Sequence, residues 1–178
     1  MNILFRSGLV LMLAVAGVSF AADDVASAVA GTVKAVDKGT KTVVVKVADG
    51  SEHTFHFARN ATVHGGEAVA GASKSAFHSM KEGDEVVVHY TEKGAVKTAH
   101  EVDRVGKDGL RMTEATMKSV DHAGKTVVVK TAEGAEETYH MADSAVHESG
   151  KGLEKAGKVT IYYTEEGGKK IAHFFKQT

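Results

Sequence analysis

The feature that most constrains the fold is an internal repeat. Residues 32–58 read TVKAVDKGTKTVVVKVADGSEHTFHFA and align without gaps with residues 116–142, which read TMKSVDHAGKTVVVKTAEGAEETYHMA. Residues 80–102 read MKEGDEVVVHYTEKGAVKTAHEV and align in the same way with residues 153–175, which read LEKAGKVTIYYTEEGGKKIAHFF. Because the two blocks recur in the same order, one structural unit occurs twice in the chain.

The first 21 residues have the features of a secretory signal peptide. They combine Arg6, an apolar run from Gly8 to Val18, and the small residues Ser19 and Ala21. The apolar run is shorter than the ~20 residues that a membrane-spanning helix needs, so we expect cleavage after Ala21 rather than a retained anchor. The mature protein is therefore predicted to be periplasmic or secreted, without an integral membrane segment.

The repeat and the leader together divide the chain into five segments. We predict a signal peptide over 1–21, an N-terminal linker over 22–30, the first repeat over 31–105, a linker over 106–115 and the second repeat over 116–178. The first repeat holds extra residues within 65–79, which read GGEAVAGASKSAFHS. The two repeats therefore differ most between their third and fourth strands.

Alternating side chains predict five short strands in each repeat. Val43 and Val45 fall on one face of a strand and Val44 on the other, and the Asp49-Gly50 pair marks a turn. In the first repeat the strands lie near residues 31–37, 41–48, 52–58 with an extension to 64, 85–92 and 95–103. The same alternation predicts inward-facing side chains on the third strand of each repeat, at Phe55, Phe57, Tyr139 and Met141.

This strand order predicts an all-β protein made of two tandem five-stranded barrels. Five strands with a helix or loop between the third and fourth is the order of an OB-like Greek-key barrel. In the first repeat we predict a short helix in that position, from Ser73 as its N-cap to Gly83 as its terminator. A single fused ten-stranded sandwich has the same strand content and remains the alternative.

The composition excludes several classes of protein. The chain has no cysteine, so disulfides cannot stabilise it. The signal peptide carries one of the 22 basic residues and none of the 23 acidic ones, so the remaining chain has a formal charge of -2, unlike the basic surface of a nucleic-acid-binding protein. No Gly-x-Ser-x-Gly nucleophile elbow and no Gly-x-x-x-x-Gly-Lys-Ser/Thr loop occurs, and we expect the protein not to be an enzyme.

The repeated pattern resembles a family of small exported bacterial domains. The segments GTVKAVD, TVVVKVADG, HTFHF and MKEGDEVVVHYTEKGAVKTAHEV resemble exported bacterial OB-like domains without an established function. They are similar in outline to the periplasmic bacterial OB-fold family linked to stress tolerance. This resemblance covers both repeats and implies a small barrel, and its motifs carry no catalytic residue. A more distant similarity is to periplasmic copper-carrying OB-fold chaperones, whose copper site this chain does not match because it has no Trp and no Met-x-Met.

Histidine stands out in the composition, with ten copies. Shared positions on or beside the third and fifth strands hold His56, His64, His100, His140, His147 and His173. Imidazole binds Zn or Cu, and the third and fifth strands of an OB barrel lie close together, so we predict a divalent-metal site among these six residues. Glu52, Glu101 and Asp103 offer carboxylates for it. The alternative is that these are ordinary half-exposed strand histidines, since no close ligand spacing such as His-x-x-x-His is present.

The main interpretation places the function on the outer face of each barrel. OB barrels usually bind on the face of the second and third strands. On this interpretation the binding residues are Val44, Lys46, Thr54, His56, Val128, Lys130, Thr138 and His140. The protein is then a non-enzymatic binding protein for an unidentified periplasmic protein or small ligand, with two sites and no nucleic-acid partner. Metal binding or buffering through the shared histidines is the alternative.

Overall fold

Ten β-strands make up the described part of the protein. The structure, a computed structural model, describes residues 27–65, 77, 79–147 and 157–177, with the backbone alone for 143–147. The strands are β1 (Ser27–Asp37), β2 (Thr42–Val47), β3 (Glu52–His64), β4 (Glu85–Lys93), β5 (Val96–Arg104), β6 (Arg111–Asp121), β7 (Thr126–Thr131), β8 (Glu136–His147), β9 (Lys158–Glu166) and β10 (Lys169–Gln177). Within these ranges no helix has the length and apolar character needed to cross a membrane. The predicted signal peptide lies outside the described residues.

The strands close into two barrels of five strands each. The order around the first barrel is β1-β2-β3-β5-β4, and β4 pairs with β1 to close it. The order around the second is β6-β7-β8-β10-β9, and β9 pairs with β6. Neighbouring strands are antiparallel except β3 with β5 and β8 with β10, which are parallel. This is the order of an OB-like barrel, so the prediction of two barrels is confirmed and the fused sandwich is wrong.

Each barrel has its own core, built from the same positions in both repeats. Val43 and Val45 of β2 are fully buried and pack with Phe55 of β3, as their alternation predicts. The equivalent residues of the second barrel are Val127, Val129 and Tyr139, all fully buried. The other two residues predicted to face inward, Phe57 and Met141, are partly buried against these cores.

A β-bulge on the fifth strand of each repeat carries a histidine. On β5 the register against β4 shifts between Ala99 and Glu101, which leaves His100 as the extra residue. On β10 the register shifts in the same way around His173. Ala99 and Val102 are both buried in the core, so the bulge leaves His100 and Glu101 side by side outside the barrel.

An apolar cluster, which we call the seam, joins the two barrels. Its buried members are Ala28, Ala30, Val87, Leu110, Tyr162 and Phe174. Leu110 lies in the connection between the barrels and forms an isolated bridge with Val105. The rings of Tyr162 and Phe174 have centroids 5.6 Å apart. Because these side chains are buried, the two barrels contact each other through an apolar surface and are not joined by the linker alone.

The strand boundaries and the predicted helix differ from the sequence-based expectation. β1 begins at Ser27 rather than near residue 31, and β6 begins at Arg111, inside the segment predicted as a linker. Most of the predicted helix from Ser73 to Gly83 lies outside the described residues. In the part that is described, Phe77 and Ser79 have helical backbone and residues 82–83 form a turn. No helical element is therefore described between β3 and β4, and this prediction is not confirmed.

Candidate metal centre

Three side chains that can bind a metal meet where β3 and β5 run in parallel. The register places Thr62 opposite Glu101 and His64 opposite Asp103. Val102 lies between the two carboxylates and is fully buried in the core, so Glu101 and Asp103 project from the outer surface of the barrel. The long β3 strand, which ends at His64, therefore brings an imidazole beside two carboxylates of one strand face.

The ligand atoms are close enough together to share one ion. His64 Nδ1 lies 3.0 Å from Glu101 Oε1 and 2.9 Å from Asp103 Oδ1. All three ligand atoms lie within 4.8 Å of one another. Two ligand atoms each about 2.1 Å from a tetrahedral ion are about 3.4 Å apart, so these contacts, which have the length of hydrogen bonds, need to open by only about 0.5 Å to admit an ion.

The three side chains of this cluster differ in their exposure to solvent. The side chain of His64 is 58% exposed, that of Glu101 21% and that of Asp103 only 3%. Access for an ion is therefore from the side of His64, and the buried Asp103 carboxylate forms the floor of the site.

A second histidine stands behind the buried carboxylate. His89 lies on β4 opposite Glu101, and its Nε2 is 3.2 Å from Asp103 Oδ2. The contact is not aligned as a hydrogen bond, so within the described residues both buried atoms lack a hydrogen-bond partner. Metal-binding carboxylates are commonly held by an outer residue in this position.

The electrostatics keep the Asp103 carboxylate anionic. Burial raises the pKa of Asp103, but the polar contact and charge of His89, followed by those of His64, lower the pKa by more. The net effect is a pKa below the ordinary value of 3.8. Asp103 is therefore ionised at neutral pH, and the ionised carboxylate is the form that binds metal.

The cluster forms part of the wall of a cavity of 360 Å³ between the two barrels. The first barrel contributes His64, Glu101 and Asp103 to the lining. The second barrel contributes Thr164, Glu166 and His173. The site therefore opens onto a space that both repeats enclose.

Arg104 also lines this cavity, but its guanidinium contacts groups elsewhere. Its Nη2 donates to Ser79 Oγ at 2.9 Å and lies 3.5 Å from Asp84 Oδ2. Asp108, in the connection between the barrels, adds another carboxylate to the lining. The described lining thus holds four carboxylates, on Glu101, Asp103, Asp108 and Glu166, and one guanidinium, and a cavity with this excess of negative charge attracts cations.

The histidines at the two bulges have structural partners. His100 Nε2 lies 2.9 Å from Thr91 Oγ1, and His173 Nε2 lies 3.0 Å from Thr164 Oγ1. The same His-Thr pair thus links the fourth and fifth strands of both barrels. This pairing accounts for the recurrence of the histidine in the sequence, and His100 does not belong to the His64 cluster.

The other predicted metal histidines lie on the third strands. His56 is opposite Thr42 and His140 is opposite Thr126, each on the hairpin that joins the second and third strands of its barrel. Neither belongs to the three-residue ligand group that the described residues form. His56 is exposed and His140 half-buried.

The register separates His147 from His64. His147 lies opposite Phe175 on β10, whereas His64 lies opposite Asp103 on β5. Phe175 aligns with Val102, so the two histidines are one position apart along equivalent strands. The side chain of His147 lies outside the described residues.

The second repeat carries no equivalent of this cluster. In the alignment, His89, Glu101 and Asp103 correspond to Tyr162, Phe174 and Lys176. Tyr162 and Phe174 are the aromatic members of the seam. The same strand positions therefore form a polar cluster on the first barrel and an apolar docking face on the second.

The sequence pattern predicts His64, Glu101 and Asp103 as candidate ligands but gives His89 no role. That residue has no histidine counterpart in the second repeat, and it follows a run of three valines on a strand expected to be apolar. The one sign of His89 in the sequence is its polar side chain directly after the three valines of EVVVHY. The burial that makes His89 significant arises from the packing of the barrels.

In both barrels the second and third strands pair as the predicted binding faces require: β2 with β3 in the first and β7 with β8 in the second. Val44 lies opposite Thr54 in the first, and Val128 lies opposite Thr138 in the second. Lys46 is exposed and lines a cavity of 420 Å³. The equivalent lysine, Lys130, is likewise exposed and lines a cavity of 230 Å³. Both repeats therefore carry a lysine-lined groove beside their first and second strands, and the described linings include no residue of the third strand.

Comparisons with known proteins leave the family open. No family model matches the chain, and no curated protein matches it. Among solved structures, the chain is similar to the crystal structure of Ag(I)CusF and to a structure of CusF-Ag(I) from Escherichia coli. Each is 14% identical with a TM-score of 0.33 over 44% of this chain, and the matches cover 96% and 90% of the two CusF chains. At this identity and TM-score the similarity carries no information on the function of this chain.

Proposed function

We propose that this protein binds a divalent metal ion through His64, Glu101 and Asp103. The observation that carries the proposal is the contact of His64 Nδ1 with one oxygen from each carboxylate, at 3.0 and 2.9 Å. The buried His89 supports it, because its Nε2 lies 3.2 Å from the second oxygen of Asp103, where an outer residue commonly orients a metal-binding carboxylate. In this proposal the protein acts by binding and not by catalysis.

The donor atoms select the class of metal. One imidazole nitrogen and two carboxylate oxygens suit Zn²⁺ and other borderline divalent ions, including Cu(II). The ligand group contains no sulfur, and soft monovalent ions such as Cu(I) prefer thiolate or thioether ligands. We therefore propose Zn²⁺ as the ion to test first, with Cu(II) next.

The predicted signal peptide supports an exported location for this binding function. Residues 1–21 carry the leader features described above, and the chain has no cysteine to compete for the ion. In a periplasmic or secreted protein, an open site of this kind is accessible to metal ions from outside the cell. Binding or buffering of the ion then follows from the site alone, without a further cofactor.

Isothermal titration of Zn²⁺ into the tag-free mature chain tests the proposal. We expect one ion per chain with micromolar or tighter affinity, and a loss of affinity of more than about 100-fold in Glu101→Gln, because the variant keeps the shape of the side chain and removes the charged ligand. Glu52→Gln is the matched control, since Glu52 is an exposed carboxylate on β3 outside the cluster. Absence of binding by the wild-type chain, or equal affinity in Glu101→Gln, contradicts the proposal.

The duplicated grooves support a second function, the binding of a partner or small ligand beside the first and second strands of each barrel. Equivalent lysines, Lys46 and Lys130, line the two grooves. Charge reversal at both lysines is the test, with capture of partners from a periplasmic extract as the readout. If the double variant Lys46→Glu, Lys130→Glu captures the same proteins as the wild type, this second function is contradicted.

A further inference from the structure

The ligand group of the first barrel leaves an ion incompletely surrounded. His64, Glu101 and Asp103 supply three donor atoms, and a three-ligand site keeps at least one open position, usually filled by water. All three residues line the cavity between the barrels, whose 360 Å³ is enough for several water molecules. The open positions of a bound ion therefore adjoin a space that the second barrel helps to enclose.

The second barrel presents suitable groups to this space. Glu166, at the end of β9, is exposed and lines the cavity. His173 lines it as well, and its imidazole is fixed by the contact of Nε2 with Thr164 Oγ1 at 3.0 Å. Its Nδ1 is buried and has no hydrogen-bond partner within the described residues. The wall that the second barrel contributes thus contains a carboxylate and an imidazole held in a fixed orientation.

We infer that the metal site is shared between the two barrels, with Glu166 and His173 of the second barrel contributing to ion binding. This inference rests on the proposed function of His64, Glu101 and Asp103. Glu166 adds negative charge and accepts hydrogen bonds from metal-bound water, and the imidazole of His173 forms part of the wall around that water. The duplication then has a functional outcome: one repeat provides the ligands and the other completes the site.

The contrast between the repeats is consistent with this division. Glu101, the ligand on β5, aligns with Phe174, which packs in the seam. Glu166 aligns with Lys93, so the carboxylate that lines the cavity is specific to the second repeat. The two repeats are therefore complementary in sequence at this cavity rather than identical, as a shared site requires.

Titrations of Zn²⁺ into full-length mature variants test the inference. We expect Glu166→Gln to weaken binding by 3- to 10-fold and Glu166→Lys by at least 30-fold, because the second change places a cation in the cavity. His173→Gln, whose amide can still contact Thr164, is expected to weaken binding by 3- to 10-fold. Glu133→Gln removes the same charge from an exposed turn of the second barrel outside the cavity and should leave the affinity within twofold.

The outcomes separate this inference from the proposed function. If Glu101→Gln abolishes binding while the Glu166 and His173 variants bind as the wild type does, the site belongs to the first barrel alone and the inference is overturned. If the wild-type chain takes up no Zn²⁺ or Cu(II), the proposed function fails and the shared site fails with it. Thermal unfolding of every variant without metal checks that each one is folded.

Discussion

His89 and Asp103 form a buried pair on adjacent strands, with His89 Nε2 3.2 Å from Asp103 Oδ2 and the two side chains 5% and 3% exposed. Buried polar groups are costly unless a partner compensates them, so a pair at the edge of a carboxylate cluster points to a role outside folding. The other oxygen of Asp103 contacts His64. One carboxylate thus connects an interior histidine to a solvent-facing one.

Asp103→Asn removes the floor of the site while preserving its shape. We expect the rise in melting temperature on adding Zn²⁺ to disappear, because stabilisation by a ligand depends on its affinity, and at 100 times the dissociation constant it amounts to about 2.7 kcal/mol. Differential scanning fluorimetry with and without Zn²⁺ measures this shift in melting temperature. Glu133→Gln is the control, since Glu133 is an exposed carboxylate in a turn of the second barrel, outside both the cavity and the three clustered ligands. A full Zn²⁺ shift in Asp103→Asn contradicts the assignment.

Substitution of His89 tests whether it positions the carboxylate. His89→Leu removes the polar contact, and we expect Zn²⁺ affinity to fall by about 10- to 100-fold, as it does when outer residues of metal sites are lost. His89→Gln retains a hydrogen-bond donor and should recover part of the affinity. Titration calorimetry on both variants gives the comparison. Equal affinities in the two variants indicate that His89 serves packing alone.

The sequence predicts the barrels well because their signals are local. Alternation around Val43 and Val45 and the aromatic residues at 55 and 139 follow from the strand period of two, and all four are fully buried. The seam is not predictable in this way, since Phe174 and Glu101 occupy equivalent positions and differ only in what the other barrel places against them. The sequence offered His64, Glu101 and Asp103 among its candidate ligands, but only the register shows that these three lie together and that the described parts of the other five histidines do not join them.

Acid should weaken a polar cluster at the mouth of the second barrel. Glu137 Oε1 lies 2.7 Å from Lys170 Nζ, and Tyr139 donates to Glu137 Oε2 at 2.7 Å. The hydrogen bond from Lys170, followed by that from Tyr139, lowers the pKa of Glu137 below its ordinary 4.5. A carboxyl group with a lowered pKa stabilises the folded state above its unfolded pKa, and this contribution is lost as the pH falls through the folded-state pKa.

The test of this cluster is urea unfolding of the wild type and of Glu137→Gln between pH 7 and pH 3. We expect the wild type to be more stable at pH 7, and the difference between the two to shrink below about pH 4.5. Glu133→Gln controls for the loss of one exposed charge on the same barrel. A difference that stays constant down to pH 3 rules out the ionised Glu137 as its source.

Truncation of Phe174 tests the seam as a structural contact between the barrels. Phe174 is fully buried, and its ring packs against that of Tyr162. Phe174→Ala leaves a cavity among residues from both barrels, and we expect it to lower the free energy of unfolding by about 3–5 kcal/mol. Val96→Ala is the control, because Val96 is 52% exposed on β5 and its truncation opens no cavity.

The thermal transition distinguishes loss of core packing from loss of coupling between the barrels. The seam gives each barrel a share of its buried surface, so the wild type is expected to unfold in one cooperative transition. In Phe174→Ala the contact is weakened, and scanning calorimetry should show the transition broadening or splitting in two as the barrels unfold separately. A single sharp transition at unchanged temperature in this variant contradicts the assignment of the seam. If the metal site is shared, Zn²⁺ binds at the cavity beside the seam and should restore part of the cooperativity lost in Phe174→Ala.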